Sequence, residues 1–285
     1  MALDLMIGQE RLSIAAPRFA LEAVRRRYGA FEIEAPPRRG AGPAPIRLRV
    51  QSRLSGFSPH YERPCEVVTR LSSRDEVVFE GGARGCYAAA GRCGVVYDAG
   101  GVGAVDVLVR TALSVALPLS GALLMHGAAL TLGTTDGLAL CGASGTGKST
   151  AATAFGASSD EMLVLRPTEE GLEIAGTPYW AGRPLRRTCR DVVCLERGNS
   201  VPGVRGLRGG SIVRVLSRHL IRHVAIPRVD SAIISLLGAV ATRARVRIAS
   251  CPEGAAFLPF LEDHLGVRAR STGASLAQEA IRDRA

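Results

Sequence analysis

Polar and apolar residues alternate or cluster over 47–51, 76–80 and 86–90, the pattern of half-buried strands, and Arg18–Tyr28 predicts a short helix. The Pro- and Gly-rich stretch 35–45 reads as a loop or linker. From Thr111 to Gly133 there is no Asp, Glu, Lys or Arg, and that length alone would cross a membrane. Pro118 and Gly121 interrupt the run, which leads directly into a strand and a glycine loop. A buried helix over 105–117 and a core strand over 123–130 are therefore expected, with no transmembrane segment. A short apolar strand at 138–141, a glycine-rich loop and a small-residue helix at Lys148–Phe155 follow. Strands are expected at 162–165, 172–174, 191–195 and 245–248, with a turn at 169–171 and helices at 211–221, 229–237 and 255–265. Strand, glycine loop and helix in this mixture predict an α/β class. The expected division is an N-terminal α+β region, 1–100, that packs on or recognises substrate for a larger domain, 101–285.

Composition narrows the setting. A chain of 285 residues with 47% hydrophobic content can bury a full core. The opening MALDLMIGQE has acids where a secretory signal needs basic residues and an unbroken apolar run, so a cytoplasmic protein is expected. Seven cysteines with no C-x-x-C pair fit neither a disulfide framework nor a zinc site. The formal charge of +10 invites a nucleic-acid partner, yet the arginines are spread along the chain without an aromatic-rich or zinc-finger signature. Nucleic acid is therefore not an expected partner, and homo-oligomerisation is left open. Of the 36 basic residues one alone is lysine, Lys148. A compact ammonium on a flexible stem suits the gap between β- and γ-phosphates in a way a planar guanidinium does not.

Lys148 lies in Gly142-Ala143-Ser144-Gly145-Thr146-Gly147-Lys148-Ser149, which satisfies G-x-x-x-x-G-K-[ST] with an apolar strand before it and a helix, continuing through Thr150, after it. The glycines let backbone N–H groups turn toward phosphates, and the helix N-terminus favours an anion. Lys148 is expected to reach the β/γ-phosphates of ATP or GTP, and the Ser149 hydroxyl to hold magnesium.

The residues around this loop extend the reading. Leu124-Met125-His126-Gly127-Ala128-Ala129-Leu130 before it, and Ser159-Asp160-Glu161 after it, resemble the HPr kinase/phosphorylase family and its HprK-like relatives. Leu172-Glu173-Ile174-Ala175-Gly176 looks like the family's L-E-I-R-G string, and Gly176-Thr177-Pro178-Tyr179-Trp180-Ala181-Gly182 is similar to a G-T-P-F-W-G string of the HprK-like branch. The resemblance implies a P-loop core with a mixed sheet, related to phosphoenolpyruvate carboxykinase, that passes a γ-phosphoryl group to a hydroxyl. It implies Asp160 as general base with His126 beside it, and Glu161 and Glu173 completing the magnesium shell with Ser149. Ala175 stands where the family has arginine, and no copy of the family's C-terminal phosphorylase loop is found. The acceptor is a hydroxyl-bearing peptide, protein or small molecule; HPr itself and dephosphorylation are not implied.

Arg183, Arg186 and Arg187 suit phosphate or an acidic substrate, or a solvated face. His219 and His223 stand four apart without the glutamate of a zinc motif and read as helix surface. Two other classes stay open: a nucleotide-binding scaffold without transfer, and an ATPase coupled to movement, for which no Walker B run is found.

Overall fold

The computed structural model describes residues 1–33, 44–52, 57–58, 66–97, 99–132, 136–179, 182–197 and 201–268. The expected loop at 35–45 lies almost wholly outside them, as does Trp180. The described chain divides into two compact units, 1–124 with 221–236, and 125–220 with the residues from 237 on. The first unit thus reaches beyond the boundary expected near residue 100.

The first unit is built on a seven-stranded sheet. β1 (Ala2–Ile7) and β2 (Glu10–Ala15) form an antiparallel hairpin, and α1 (Arg18–Tyr28) follows. β3 (Ile46–Val50) then pairs in parallel with β2. β4 (Val67–Leu71), β5 (Glu76–Gly81), β6 (Arg84–Ala88) and β7 (Cys93–Tyr97) form a meander, which gives the order β1-β2-β3-β7-β6-β5-β4. Strict alternation buries Leu3, Leu5, Ile7, Leu12, Ile14, Ile46, Leu48 and Val50, the period-two pattern of a sheet with one covered face. α2 (Val102–Leu119) packs on β7, β6, β3 and β2. It is long and apolar enough to span a membrane, yet 83% of its most apolar window is buried inside the protein, as in a core helix. Its one buried acid, Asp106, accepts from Arg27 Nη2 at 3.0 Å and from the Tyr28 hydroxyl.

The second unit closes a barrel. β8 (Leu123–Leu132) and β9 (Asp136–Gly142) pair antiparallel across three intervening residues. α3 (Lys148–Phe155) and the short β10 (Ala157–Ser159) follow. β11 (Met162–Thr168) and β12 (Gly171–Gly176) form a second antiparallel hairpin. β13 (Arg186–Glu196) is long enough to pair antiparallel with β12 and parallel with β9, so the ring β8-β11-β12-β13-β9 joins back to β8. Outside the ring lie β14 (Gly203–Gly206), α4 (Gly210–Ser217), β15 (Arg245–Ser250) and α6 (Phe257–Leu265), with β15 parallel to β13 and β14 antiparallel to β15; α5 (Pro227–Arg243) belongs to the first unit through Leu236 and to the second from Leu237. Ala128, Leu130, Leu138, Leu140, Phe155, Val193, Leu195, Phe257 and Leu261 share one core.

This corrects the expected fold class. In place of an α/β P-loop core with a mixed sheet and a smaller α+β N-terminal region, strand outweighs helix, 40% to 32%, in a closed five-stranded barrel and a seven-stranded sheet. The physical reason is connection length. An α/β core needs helical crossovers between parallel strands, whereas three residues between β8 and β9 and two between β11 and β12 permit only antiparallel neighbours.

Candidate functional site

β9 carries Leu138, Ala139, Leu140 and Cys141 in full burial and delivers Gly142 to the phosphate-type loop at the strand's C-terminal end. The loop turns because Gly145 and Gly147 take φ of +80° and +97°, the left-handed region that side chains disfavour. Thr146 braces it, its hydroxyl donating to the Ala143 carbonyl at 2.9 Å. Gly147 then starts α3, so the loop meets a helix N-terminus.

Lys148 is buried and folded back on this loop, its Nζ donating to the Gly142 and Ala143 carbonyls at 2.8 Å each. Burial pulls its ammonium below the usual value, while Glu161, Cys141 and Asp160 pull it back up. The lysine therefore stands within the field of both acids.

Those acids sit in a turn fastened at two points. Ser159 and Thr177, both buried, each donate to the Met162 carbonyl, Thr177 at 2.6 Å, and their hydroxyl oxygens lie 3.2 Å apart. The Glu161 carbonyl accepts from the Gly127 N–H at 3.2 Å, which ties the turn to β8 beside His126. His126 in turn donates its backbone N–H to the His219 carbonyl at 2.7 Å. Burial, then the ammonium of Lys148 and the neighbouring His219, push its imidazole down to about 4. It is neutral near pH 7, where it can orient a proton but is a weak base.

His126, Ser144, Gly145, Gly147, Lys148, Ser149, Thr150, Asp160 and Glu161 line one cavity of about 310 Å³. Gly142, Ala143 and Thr146 complete the same loop. Glu173 is not brought to it. It lies on β12 opposite Arg166 and Thr188, 3.9 Å from Arg166 Nη1 and 3.7 Å from Arg186 Nε, and lines a separate cavity of about 570 Å³ with Arg186, Arg187, Glu169 and Glu170. Its expected place in the magnesium shell is therefore corrected: the antiparallel register of β11, β12 and β13 carries it onto that ledge. Arg183 donates its backbone N–H to the Ser158 carbonyl at 2.7 Å. α4 ends at Ser217, so His219 and His223 follow it and are not helix surface; burial pushes His223 down to about 4.

Two contributors went unforeseen. Arg197 lines the cavity from the end of β13, where Leu195 pairs with Gly142. Its signal was a basic residue just past an apolar strand, but the parallel neighbour that places it beside the loop is not readable from one segment. Thr177 belonged to the G-T-P string, whose spacing does not reveal that its hydroxyl holds the acidic turn.

Among the described residues no group of three or more His, Cys, Asp or Glu side chains forms a metal cage. Magnesium does not require one: it is commonly held by one or two carboxylates with substrate phosphates and waters, and Ser149, Asp160 and Glu161 offer hard oxygens of that kind. The chain matches no protein-family model and no curated protein.

Proposed function

We propose that the chain is a magnesium-dependent kinase of the HprK-like kind, which transfers the γ-phosphoryl group of ATP or GTP to a hydroxyl of a peptide, protein or small molecule. The observation that carries this reading is the single cavity in which the glycine loop, Lys148, Ser149, Asp160 and Glu161 face one another. A phosphate-binding loop alone suits many activities. An acidic pair held rigidly across from it adds a proton acceptor and a magnesium ligand, the two further parts that phosphoryl transfer needs.

In this scheme Lys148 exchanges the Gly142 and Ala143 carbonyls for β/γ-phosphate oxygens. Ser149 and Glu161 would hold magnesium, which when bound would supply neutralising charge for the transfer. Asp160 takes the acceptor's hydroxyl proton as the new O–P bond forms, and the bond to the bridging oxygen breaks with its electron pair leaving on the nucleoside diphosphate. Neutral His126 orients Asp160 or the acceptor, and Arg197 adds positive charge at the rim. The cytoplasm is the proposed location; the six described cysteines are free thiols, as a reducing compartment keeps them.

The test is transfer from labelled ATP to a mixture of serine-containing peptides, with Asp160→Asn beside the wild type. Transfer should fall by about 10²–10⁴-fold while nucleotide affinity persists. Nucleotide binding with no transfer by either protein would assign a nucleotide-binding scaffold instead, and no nucleotide binding at all would defeat both readings.

A further inference from the structure

From Val201 to His223 the chain contains five arginines and no Asp or Glu. α4 sits in the middle of this stretch. It buries Ile212 and Leu216, four residues apart, and leaves Arg214 and, just past its end, Arg218 exposed. Positions four apart share one face, so the two guanidinium groups form a stripe spaced about 5–6 Å at the Cβ atoms. Neither has a carboxylate or any other side-chain partner among the described residues.

The chain that follows the stripe runs to β8, the strand that brings His126 to the cavity already described. Arg218 is followed by His219, whose carbonyl accepts from His126, and by Leu220, which bridges to Met125 on the same strand. One Cα step, about 3.8 Å, therefore separates Arg218 from a residue bonded to the cavity wall. A basic face one residue along the chain from that wall is placed to hold the part of an acceptor that stays outside the cavity.

Resting on the kinase reading above, we propose that the Arg214/Arg218 stripe docks an acidic stretch of the acceptor. The acceptor is then a peptide or protein segment with Asp or Glu near the hydroxyl that receives the phosphate. Arginine forks match carboxylates bidentately. Two guanidinium forks about 5–6 Å apart can each take a carboxylate, more than a small molecule with one carboxylate would engage. Nucleic acid fits less well, because 201–223 contains no Phe, Tyr or Trp on which a base would stack.

Fluorescence anisotropy with the full-length protein tests this. The probes are a short fluorescein-labelled peptide with one serine flanked by glutamates, its glutamine counterpart, and a single-stranded RNA of similar length. The glutamate peptide should bind about tenfold tighter than the glutamine one, and Arg214→Glu with Arg218→Glu should erase that preference. Arg214→Lys with Arg218→Lys should keep part of it, and unchanged nucleotide affinity in both double variants would show the fold intact. Equal binding of the two peptides, binding of neither, a preference that survives charge reversal, or tighter binding of RNA with the same arginine dependence would each overturn the proposal. Docking is read without nucleotide, so an acidic preference with no transfer would leave it standing while the kinase reading fell. Transfer that ignores acidic flanks would do the reverse.

Discussion

Replacing Gly147 with alanine adds one methyl group where the phosphate-type loop has no room for it. The residue's φ is +97°, and a Cβ there would lie 2.5, 2.9 and 3.0 Å from three ring carbons of Phe257 at the start of α6. Two costs add. Left-handed backbone costs a residue with a side chain about 1–2 kcal/mol. The ring must also give way, and Phe257 belongs to the core that holds Ala151, Phe155 and Leu261, where overpacking costs about 1–3 kcal/mol. Gly147→Ala should therefore lose about 2–5 kcal/mol. Gly145→Ala supplies the control: its φ is +80°, but its added Cβ would meet nothing within 4 Å, so only the backbone cost of about 1–2 kcal/mol applies. Phe257→Leu shortens the ring and should relieve only the second cost, giving a favourable coupling with Gly147→Ala of about 1–2 kcal/mol in a double-mutant cycle. Urea unfolding at constant m-value measures each variant. Equal losses for the two glycine variants, or a coupling within about 0.5 kcal/mol of zero, would refute the seating of the loop on Phe257.

Removing the sole lysine by Lys148→Ala should weaken nucleotide binding by about 10–100-fold in calorimetry, the worth of a charge-assisted hydrogen bond. Lys148→Arg should weaken it too, because a planar fork does not fit where Nζ lies between two loop carbonyls; full affinity and activity would sink the significance given to this lysine. Glu173→Gln should leave nucleotide and magnesium binding unchanged and alter stability by less than about 0.5 kcal/mol, since its two arginine contacts are long and partly exposed; a clear loss of magnesium binding would return it to the site. His126 should titrate near 4 by NMR, and a midpoint above about 6 would contradict its burial beside Lys148. With an unfolded value of about 6.5, the unfolded chain takes the proton first, so this contribution to stability is present above about pH 6.5 and is lost as pH falls through 4. His126→Gln should flatten that acid slope in pH-dependent urea unfolding.

What could be read from the sequence depended on how local each feature is. α1 and α3 begin and end where expected, and β8, β9, β11, β12, β13 and β15 lie over their expected cores, because each is announced by its own apolar residues. The glycine loop is local too: eight consecutive residues contain the turn, the lysine and the hydroxyl. β1, β2, β4, β7, β10 and β14 escaped notice because three to six residues with mixed polarity become strands only when a neighbour supplies the other half of the hydrogen bonds. Barrel closure is likewise a property of pairs. Nothing within 186–196 says that its first residues pair with β12 while the rest pair with β9 and β15. That closure sorts the acids. Asp160 and Glu161 follow β10, which pairs with β8, and so return to the strand that carries His126. Glu173, a dozen residues later, pairs across to Arg166 and Thr188 and is carried onto another face. Three carboxylates of similar appearance in the chain are thus divided by strand register alone, and the same register brings Arg197, with no motif of its own, to the rim of the loop.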